Sequence, residues 1–303
     1  MVAGSTWAVP EQCYLCGGAR LSLRFAERGD TRNPGAEAYR CTSFRHGSYP
    51  PIWKCRDCGM VSQWPMRSES ELLEEYRLVE DPIYEAERDS RYFTFRHVLR
   101  ALGPGEGRSL LDVGAYCGYF LDVAREGGFS PEGLELSEWA ADRARSLGFG
   151  VHGETLAERA ASGTRYDTIT MWDVIEHMAD PRAELASVFE LLPPGGTFSL
   201  STVDVGSLVA RGMGRRWPWL MEMHLHYFDR STIARLLRDV GFVDVSVGNY
   251  THFVSSTYLS AKLATIAGPL APVVRRAGRV VPSGWRIPVS LGDNMLVQSV
   301  RPL

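Results

Sequence analysis

Three groups of residues in this chain have the types and spacing to do chemistry. Cys13 and Cys16 form one C-x-x-C pair and Cys55 and Cys58 another, with Gly17 and Gly59 after the second cysteine of each. Two tight turns that each present two thiolates complete the tetrahedral S₄ shell that Zn²⁺ accepts. A glycine in that position supplies the left-handed residue such a knuckle needs. A redox pair, or two unrelated surface turns, would not account for the repeated C-x-x-C-G. The second group is the run LLDVGAYCG from Leu110 to Gly118, an apolar strand entering a glycine turn, followed by Glu135, 17 residues beyond Gly118. Gly114 and Gly118 remove the Cβ atoms that would obstruct a ligand across the turn, and an acid about 20 residues on is placed to meet ribose hydroxyls. This is the pattern of a nucleoside cradle. The third group is polar: Asp173, Glu176 and His177 in D-x-x-E-H, then His224 and His226 in H-L-H. An imidazole between carboxylates is the composition of a general base with an orienting acid, or of a divalent metal site. The alternative is that Asp173, Glu176 and His177 cap and pin the turn that follows.

The elements that must position these groups follow from periodicity. Residues 1–66 read as a zinc-ribbon domain, whose 38-residue gap between Cys16 and Cys55 requires an extended loop and whose small core depends on metal to fold. Cys41 and His46 lie in that loop as alternative ligands. Residues 67–107 read as a helical linker. Ser68 and Glu71 form an S-x-x-E capping box, and Asp81-Pro82 opens a second helix predicted to run to Leu102. Its Tyr92, Phe95, Leu99 and Leu102 recur at helical spacing and should pack on the next domain. From Arg108 onward strands and helices alternate. The strands LLDV, YDTITMWDV and TFSLSTV and the helices opened at Ser137 and Asp180-Pro181 describe an α/β, Rossmann-like doubly wound sheet. Ligands should bind beyond the C-terminal ends of its strands. The aromatic stretch 204–228, with Trp217, Trp219, Glu222 and Tyr227, reads as a lid or substrate wall. Asp229 caps a helix that Gly241 ends, and residues 256–287 form a helical insert, broken at Pro269, Pro272 and Pro282, before the last strand. The insert reads as a cover over one edge of the sheet, with contact of its apolar run and Arg275, Arg276 and Arg279 to a membrane or lipidic substrate as the alternative.

Composition bounds the function. The 33 basic and 36 acidic residues nearly balance at net charge −3, so no overall field draws the chain to nucleic acid or to an anionic membrane. The N-terminus has no charged start followed by an apolar run, and no segment approaches the ~20 apolar residues of a spanning helix. A cytoplasmic protein is expected, and a reducing compartment favours metal over disulfide for the paired cysteines. Cys117, in the glycine turn, is expected to be a packing residue.

A dehydrogenase would carry G-x-G-x-x-G, with a pyrophosphate drawn to the helix N-terminus. Here Asp112 stands two residues before Gly114, and Tyr116 fills what is often a middle glycine position. An acid there suits a ligand with a positive end better than a pyrophosphate. With Glu135 and the segments YDTITMWDVIEH and LLPPGGTFSLST, residues 108–250 resemble the class I S-adenosylmethionine-dependent methyltransferases. The resemblance implies that Asp112, Gly114, Tyr116 and Gly118 surround the amino-acid part of S-adenosylmethionine, and that Glu135 accepts from both ribose hydroxyls. It implies that Leu136, Thr155 and Leu156 flank the adenine and that Asp173 lies near the methyl group. The Tyr116 ring should alter the packing around the methionine part without preventing binding. The N-terminal ribbon is similar to that of methyltransferases of bacterial sugar, polysaccharide and natural-product pathways. Sugar C-methyltransferases of that kind usually carry a further large C-terminal domain, so O- or N-methylation is expected.

On this resemblance the reaction is an in-line displacement at a sulfonium, which alignment and a base accelerate. His177, His224 or His226 would be the base. D-x-x-E-H also resembles the E-x-x-E-H of ubiquinone-pathway O-methyltransferases and small-RNA terminal 2′-O-methyltransferases, which implies a second divalent metal at Asp173, Glu176 and His177, completed by His224 and His226. The expected acceptor is a small molecule, the hydroxyl of a sugar or secondary metabolite. Two other classes remain open: a zinc-ribbon RNA methyltransferase, with Arg20, Arg24, Arg40, Arg45, Lys54, Arg56, Tyr49 and Trp53 as the contact surface, and a non-catalytic cofactor-binding scaffold. The sequence leaves the oligomeric state open.

Overall fold

The N-terminal cysteine pairs are set on an antiparallel meander of β1 (Leu21–Phe25), β2 (Ile52–Cys55) and β3 (Val61–Gln63). Gly17 and Gly59 adopt φ angles of 69° and 86°, the left-handed conformation the C-x-x-C-G pattern calls for. The structure, a computed structural model, describes residues 10–29, 31, 35–43, 47–282 and 285–303; His46 and Arg45 lie outside the described residues.

Helix α1 (Glu69–Arg77) begins at the Ser68–Glu71 capping box. Asp81 then caps α2 (Pro82–Ala86) by accepting the Tyr84 N–H. The single helix expected from Pro82 to Leu102 is instead broken at Glu87, after which α3 (Arg88–Leu102) starts. At the break the Glu87 carboxylate accepts from the N–H and hydroxyl of Ser255, far along the chain, and from the Ser90 hydroxyl. Tyr92, Phe95 and Val98 bury the inner face of α3, with Leu99 and Leu102 beside them.

The alternation that follows is β4 (Ser109–Val113), α4 (Tyr119–Glu126), β5 (Ser130–Leu134), α5 (Glu138–Ser146), β6 (Val151–His152), α6 (Leu156–Ala161), β7 (Thr168–Trp172), α7 (Pro181–Leu191) and β8 (Thr197–Val203). Leu110, Leu111, Ile169 and Leu200 are fully buried, as strands covered by helices on both faces require. Truncating one of them to Ala should cost about 2–5 kcal/mol. The chain continues through α8 (Leu208–Met213), β9 (His226–Tyr227), α9 (Arg230–Val240), β10 (Val243–Asn249), β11 (His252–Ser255), α10 (Ser256–Ile266), α11 (Ala271–Val280), β12 (Arg286–Val289) and β13 (Asn294–Val300). The main sheet has the order β10-β13-β8-β7-β4-β5-β6, with β13 antiparallel to both neighbours and the rest parallel. Strand order reverses at β4, whose neighbours are β5 and β7, and this opens a crevice at the ends of those strands.

Two connections depart from the sequence reading. The stretch 204–228 contributes β9 as a fourth strand of the ribbon sheet, antiparallel to β3. The insert is bracketed by a hairpin of β11 and β12 that periodicity did not reveal. Pro272 falls in the first turn of α11, where a missing N–H is harmless, so it starts that helix instead of breaking it. The side chains of Arg275 and Arg279 lie outside the described residues. No helix among the described residues is long and apolar enough to cross a membrane.

Gly118 acts through packing. It precedes α4 with φ of 75°, and a Cβ built there would stand 2.7 Å from the Ala144 Cβ and 3.0 Å from its Cα on α5. Gly118→Ala should therefore destabilise the fold by roughly 1–3 kcal/mol, through backbone strain and the forced separation of α4 from α5. Chemical denaturation of the two proteins measures this.

Candidate functional site

Beyond the ends of β4, β5 and β7 lies a cavity of about 500 Å³. Asp112, Gly114, Tyr116, Glu135, Leu136, Thr155, Leu156, Asp173, Glu176, His177 and His224 all line it. Gly118 and His226 do not.

The cradle end is organised around Glu135. Its Oε2 accepts the Tyr116 N–H at 2.8 Å and its Oε1 the Ser137 N–H at 2.7 Å. Each oxygen retains a lone pair for a ligand hydroxyl. Burial pushes this carboxyl up to about 7, partly offset by the hydrogen bonds from the backbone of Ser137, Tyr116 and Leu136. Tyr116 holds the turn in the left-handed region at φ 47°, where glycine is the ordinary occupant. Its ring lies edge-on to Tyr84 at 4.5 Å, which fixes a wall the sequence motif alone does not contain. Asp112 is buried and accepts the Thr170 hydroxyl at 2.7 Å; burial raises its pKa well above the carboxylate range. The Thr155 hydroxyl is committed to a capping box with Glu158, so Thr155 offers the cavity a wall and little polar contact. Cys117 is fully buried, as expected of a packing residue.

At the other end, Asp173 leaves β7 with φ of 54° and accepts the Ser201 hydroxyl at 2.7 Å. Glu176 and His177 follow on a short 3-10 turn, and the lid brings His224 against them. One side-chain donor from each of Glu176, His177 and His224 lies within 4.8 Å of the others. The triad that forms is therefore Glu176, His177 and His224, and Asp173, expected as a metal ligand, turns instead toward Ser201 and His252, whose Nε2 is 3.9 Å away. The reach of Asp173 is spent on closing its own strained turn. His177 Nδ1 lies 2.8 Å from the Met223 carbonyl oxygen, which can only accept, so Nδ1 carries the hydrogen and Nε2 presents its lone pair. Burial lowers the His177 pKa and keeps the ring neutral. Glu176 accepts the Thr202 hydroxyl at 2.9 Å, and burial together with Asp173 pushes its carboxyl up to about 8.

His226 was expected beside His224 on one face of an extended segment. A turn at Glu222–Met223 comes just before His224, and His226 instead opens β9, where it is buried against the ribbon. There its Nδ1 lies 3.1 Å from the Ser62 hydroxyl, its Nε2 3.5 Å from the Ala179 carbonyl, and its ring 4.8 Å from Tyr14. Burial pushes it down to about 4, so it is a neutral packing residue. Among the lid aromatics Trp219 lines the cavity, while Trp217 and Tyr227 are buried packing groups. Both indoles donate to Asp293 Oδ2, at 3.0 and 3.1 Å. Glu222 accepts the Ser48 hydroxyl at 2.9 Å, tying lid to ribbon.

The cysteine cluster is complete without Cys41, which lines the cavity instead. The Sγ atoms of Cys13, Cys16, Cys55 and Cys58 lie within 4.8 Å of one another, with Cys13–Cys58 at 3.5 Å and Cys16–Cys55 at 3.7 Å. Bonds of about 2.3 Å to a tetrahedral ion would place sulfurs about 3.8 Å apart, so this donor set fits zinc.

Sequence reasoning missed Arg91 on α3, Tyr250 and His252 around β11, and Tyr258 and Lys262 on α10, all of which line the cavity. No motif marks them. They come from the linker helix, from the segment that enters β11 and from the insert, whose α10 lies over the cavity.

Residues 84–247, more than half of the chain, match the family model described as a methyltransferase domain. The chain belongs to that family, and its fold is that of the class I S-adenosylmethionine-dependent methyltransferases. It is 33% identical over 117 residues to a ubiquinone biosynthesis O-methyltransferase of Cereibacter sphaeroides, covering 36% of this chain and 47% of that protein. It is 30% identical over 115 residues to a protein of the same name from Alkalilimnicola ehrlichii, with the same shares covered. The chain thus spans about half the length of the curated relatives it matches. Among solved structures, a chain of the complex between the Haloferax volcanii Trm112 methyltransferase activator and a methyltransferase superposes with TM-score 0.53 at 18% identity. That match covers 78% of this chain and all of that one.

The ribbon reaches the triad through backbone. Gln63 donates its N–H to the Leu225 carbonyl, and Leu225 donates its own to the Glu176 carbonyl, each at 2.8 Å. Cys55→Ser should therefore speed hydrogen exchange at the Gln63 and Leu225 amides by about tenfold or more while β4 and β7 stay protected. Mass spectrometry on digested fragments reads both.

Proposed function

We propose that the protein transfers a methyl group from S-adenosylmethionine to a hydroxyl of a small-molecule acceptor, with His177 at the acceptor. The observation that carries this reading is that one cavity joins the Glu135 cradle to the Glu176–His177–His224 triad. Bound S-adenosylmethionine would supply an electrophilic methyl on a sulfonium. Glu135 would accept from its ribose hydroxyls, Leu136 and Leu156 would flank its adenine, Asp112 would line its amino-acid end, and the carboxylate of Asp173 would favour its positive end. His177 Nε2, neutral and aimed by the Met223 carbonyl, is suited to take the acceptor proton. The names of the curated relatives favour oxygen as the acceptor atom; a sugar or natural-product hydroxyl is the class the ribbon resemblance supports.

The triad favours a second reading of the same step. A neutral imidazole whose other nitrogen is held by a carbonyl, a second imidazole and a carboxylate form a donor set for a divalent cation. Such an ion would be held by Glu176, His177 and His224 and would lower the pKa of an acceptor hydroxyl. The four cysteines would hold structural Zn²⁺ and, through β3 and β9, keep the lid in place. For RNA as acceptor the surface is poor: Tyr49 is buried and cannot stack, and Arg20 is paired with Asp57.

Radiolabelled S-adenosylmethionine with fractionated metabolites should yield a labelled small molecule. His177→Asn should lower kcat about 10²–10⁴-fold while S-adenosylhomocysteine affinity is unchanged. A chelator that leaves the ribbon zinc bound should abolish turnover, and added Mg²⁺ or Mn²⁺ restore it, if the triad holds a metal; full activity after chelation leaves His177 acting alone.

Glu135 gives a pH dependence. Its folded-state pKa is raised, so its contribution to the stability of the empty protein is present below about 4.3 and is lost as pH rises toward about 7. A ligand whose hydroxyls donate to the carboxylate prefers the ionised form, so its affinity moves the opposite way. S-adenosylhomocysteine should bind about tenfold more tightly at pH 8 than at pH 6 by calorimetry. Glu135→Gln should bind weakly and without that slope.

A further inference from the structure

The charges of this chain balance overall but not along it. Residues 256–291 hold Lys262, Arg275, Arg276, Arg279 and Arg286 and no acid, so the rest of the chain is more acidic than the net −3 of the whole. The same segment gathers large apolar side chains at the surface. Leu263, Leu270, Val273, Trp285 and Leu291 are each between 43% and 65% exposed. Elsewhere such side chains stand on separate elements, as Leu23 on β1, Leu78 at the end of α1 and Leu208 on α8 do, and a single exposed leucine needs no partner. Several on one basic segment mark a contact surface.

The helices of the insert build that surface. α10 and α11 are joined by the turn Gly268–Leu270 and cross where Gly278 has no side chain, since a Cβ built there would stand 2.2 Å from the Ser260 Cβ. Leu270 ends the turn, Val273 lies in the first turn of α11, and Arg276 follows on the same helix, exposed like them. Lys262 and Arg286 are directed into the protein, where they donate to the Ser43 carbonyl at 2.6 Å and to Asp89 at 2.9 Å. The charge of the surface therefore belongs to α11, whose Arg275, Arg276 and Arg279 fall within residues 275–279. Leu263 and Leu291 also line the cavity, so the cavity opens on this face.

We propose that residues 256–291 dock the protein on the surface of an anionic lipid bilayer, with Leu270, Val273 and Trp285 entering the headgroup boundary and α11 supplying the attractive charge. A bilayer of this kind answers both features of the surface: exposed apolar groups enter the acyl boundary, an indole is favoured at the interface, and clustered arginines meet lipid phosphates. Two other occupants fit less well. A second copy of the chain, paired two-fold through this same face, would set its arginines against their equivalents. A soluble apolar molecule has no use for the basic charge. Docking turns the mouth of the cavity toward lipid. The inference uses no part of the methyl-transfer chemistry and stands or falls apart from it.

The test is flotation of the full chain with vesicles of phosphatidylcholine alone and of equal parts phosphatidylcholine and phosphatidylglycerol. Wild type should partition at least tenfold more strongly onto the vesicles that contain phosphatidylglycerol, and added salt should weaken that binding. Leu270→Asp with Val273→Asp, and separately Arg275→Gln, Arg276→Gln and Arg279→Gln together, should each lower it tenfold or more with the thermal midpoint unchanged. Leu23→Asp with Leu208→Asp should leave it as in wild type. Absence of binding to phosphatidylglycerol vesicles, equal binding to both kinds, or wild-type binding by both insert variants would overturn the proposal. A wild-type dimer in sedimentation that Leu270→Asp with Val273→Asp dissolves, without vesicle binding, would make the face an interface between copies and overturn it as well.

Discussion

The pairing of β3 with β9 is the interaction on which the arrangement of this molecule depends. It joins a segment that follows the fifth parallel strand, β8, to a ribbon at the opposite end of the sequence. Two backbone hydrogen bonds through Leu225 then carry the connection to Glu176. His177 is aimed by the Met223 carbonyl and His224 by its place just before β9, so both imidazoles owe their positions to this strand. A short strand has little stability of its own. It persists here because its Tyr227 is buried with Trp217, Ile52 and Val61 in one cluster, and the cysteine knuckles fix the sheet it joins.

The cavity is assembled from three sources with different mechanical character. The ends of the parallel strands β4, β5 and β7 supply Asp112, Glu135 and Asp173 on a largely buried platform. The lid supplies His224 and Trp219, and the linker helix, β11 and the insert supply Arg91, His252 and Lys262. Glu87 joins the linker helix to the end of β11, where the insert begins, by accepting from Ser255. A cofactor bound to the platform would thus meet an acceptor held by the elements around it. This division suits a family in which cofactor binding is common and acceptors differ.

Several polar groups in the cavity are buried against their ordinary ionisation. Glu135 and Glu176 are pushed up to about 7 and 8, and Lys262 is pushed down to about 7. Burial is the largest cause in each case. Groups tuned this way respond sharply to whatever neutralises or hydrogen-bonds their charged form, which is the physical signature of a site built for ligands.

The local chemistry was legible in the sequence because it is written in contiguous residues. The C-x-x-C-G pairs encode knuckles, the Asp112–Gly118 turn and Glu135 encode a cradle, and S-x-x-E and D-P mark helix starts, all through interactions a few residues apart. The parallel sheet followed from apolar runs alternating with capped helices. What only the tertiary structure decided depends on long-range contact: that His224 and not Asp173 completes the triad, that His226 is spent on Tyr14 and Ser62, that Gly118 serves packing against Ala144, and that Arg91 and Lys262 face one cavity. Each of these depends on which segment packs against which, and hydrogen bonds between residues far apart in the chain leave no period or spacing in the sequence to read.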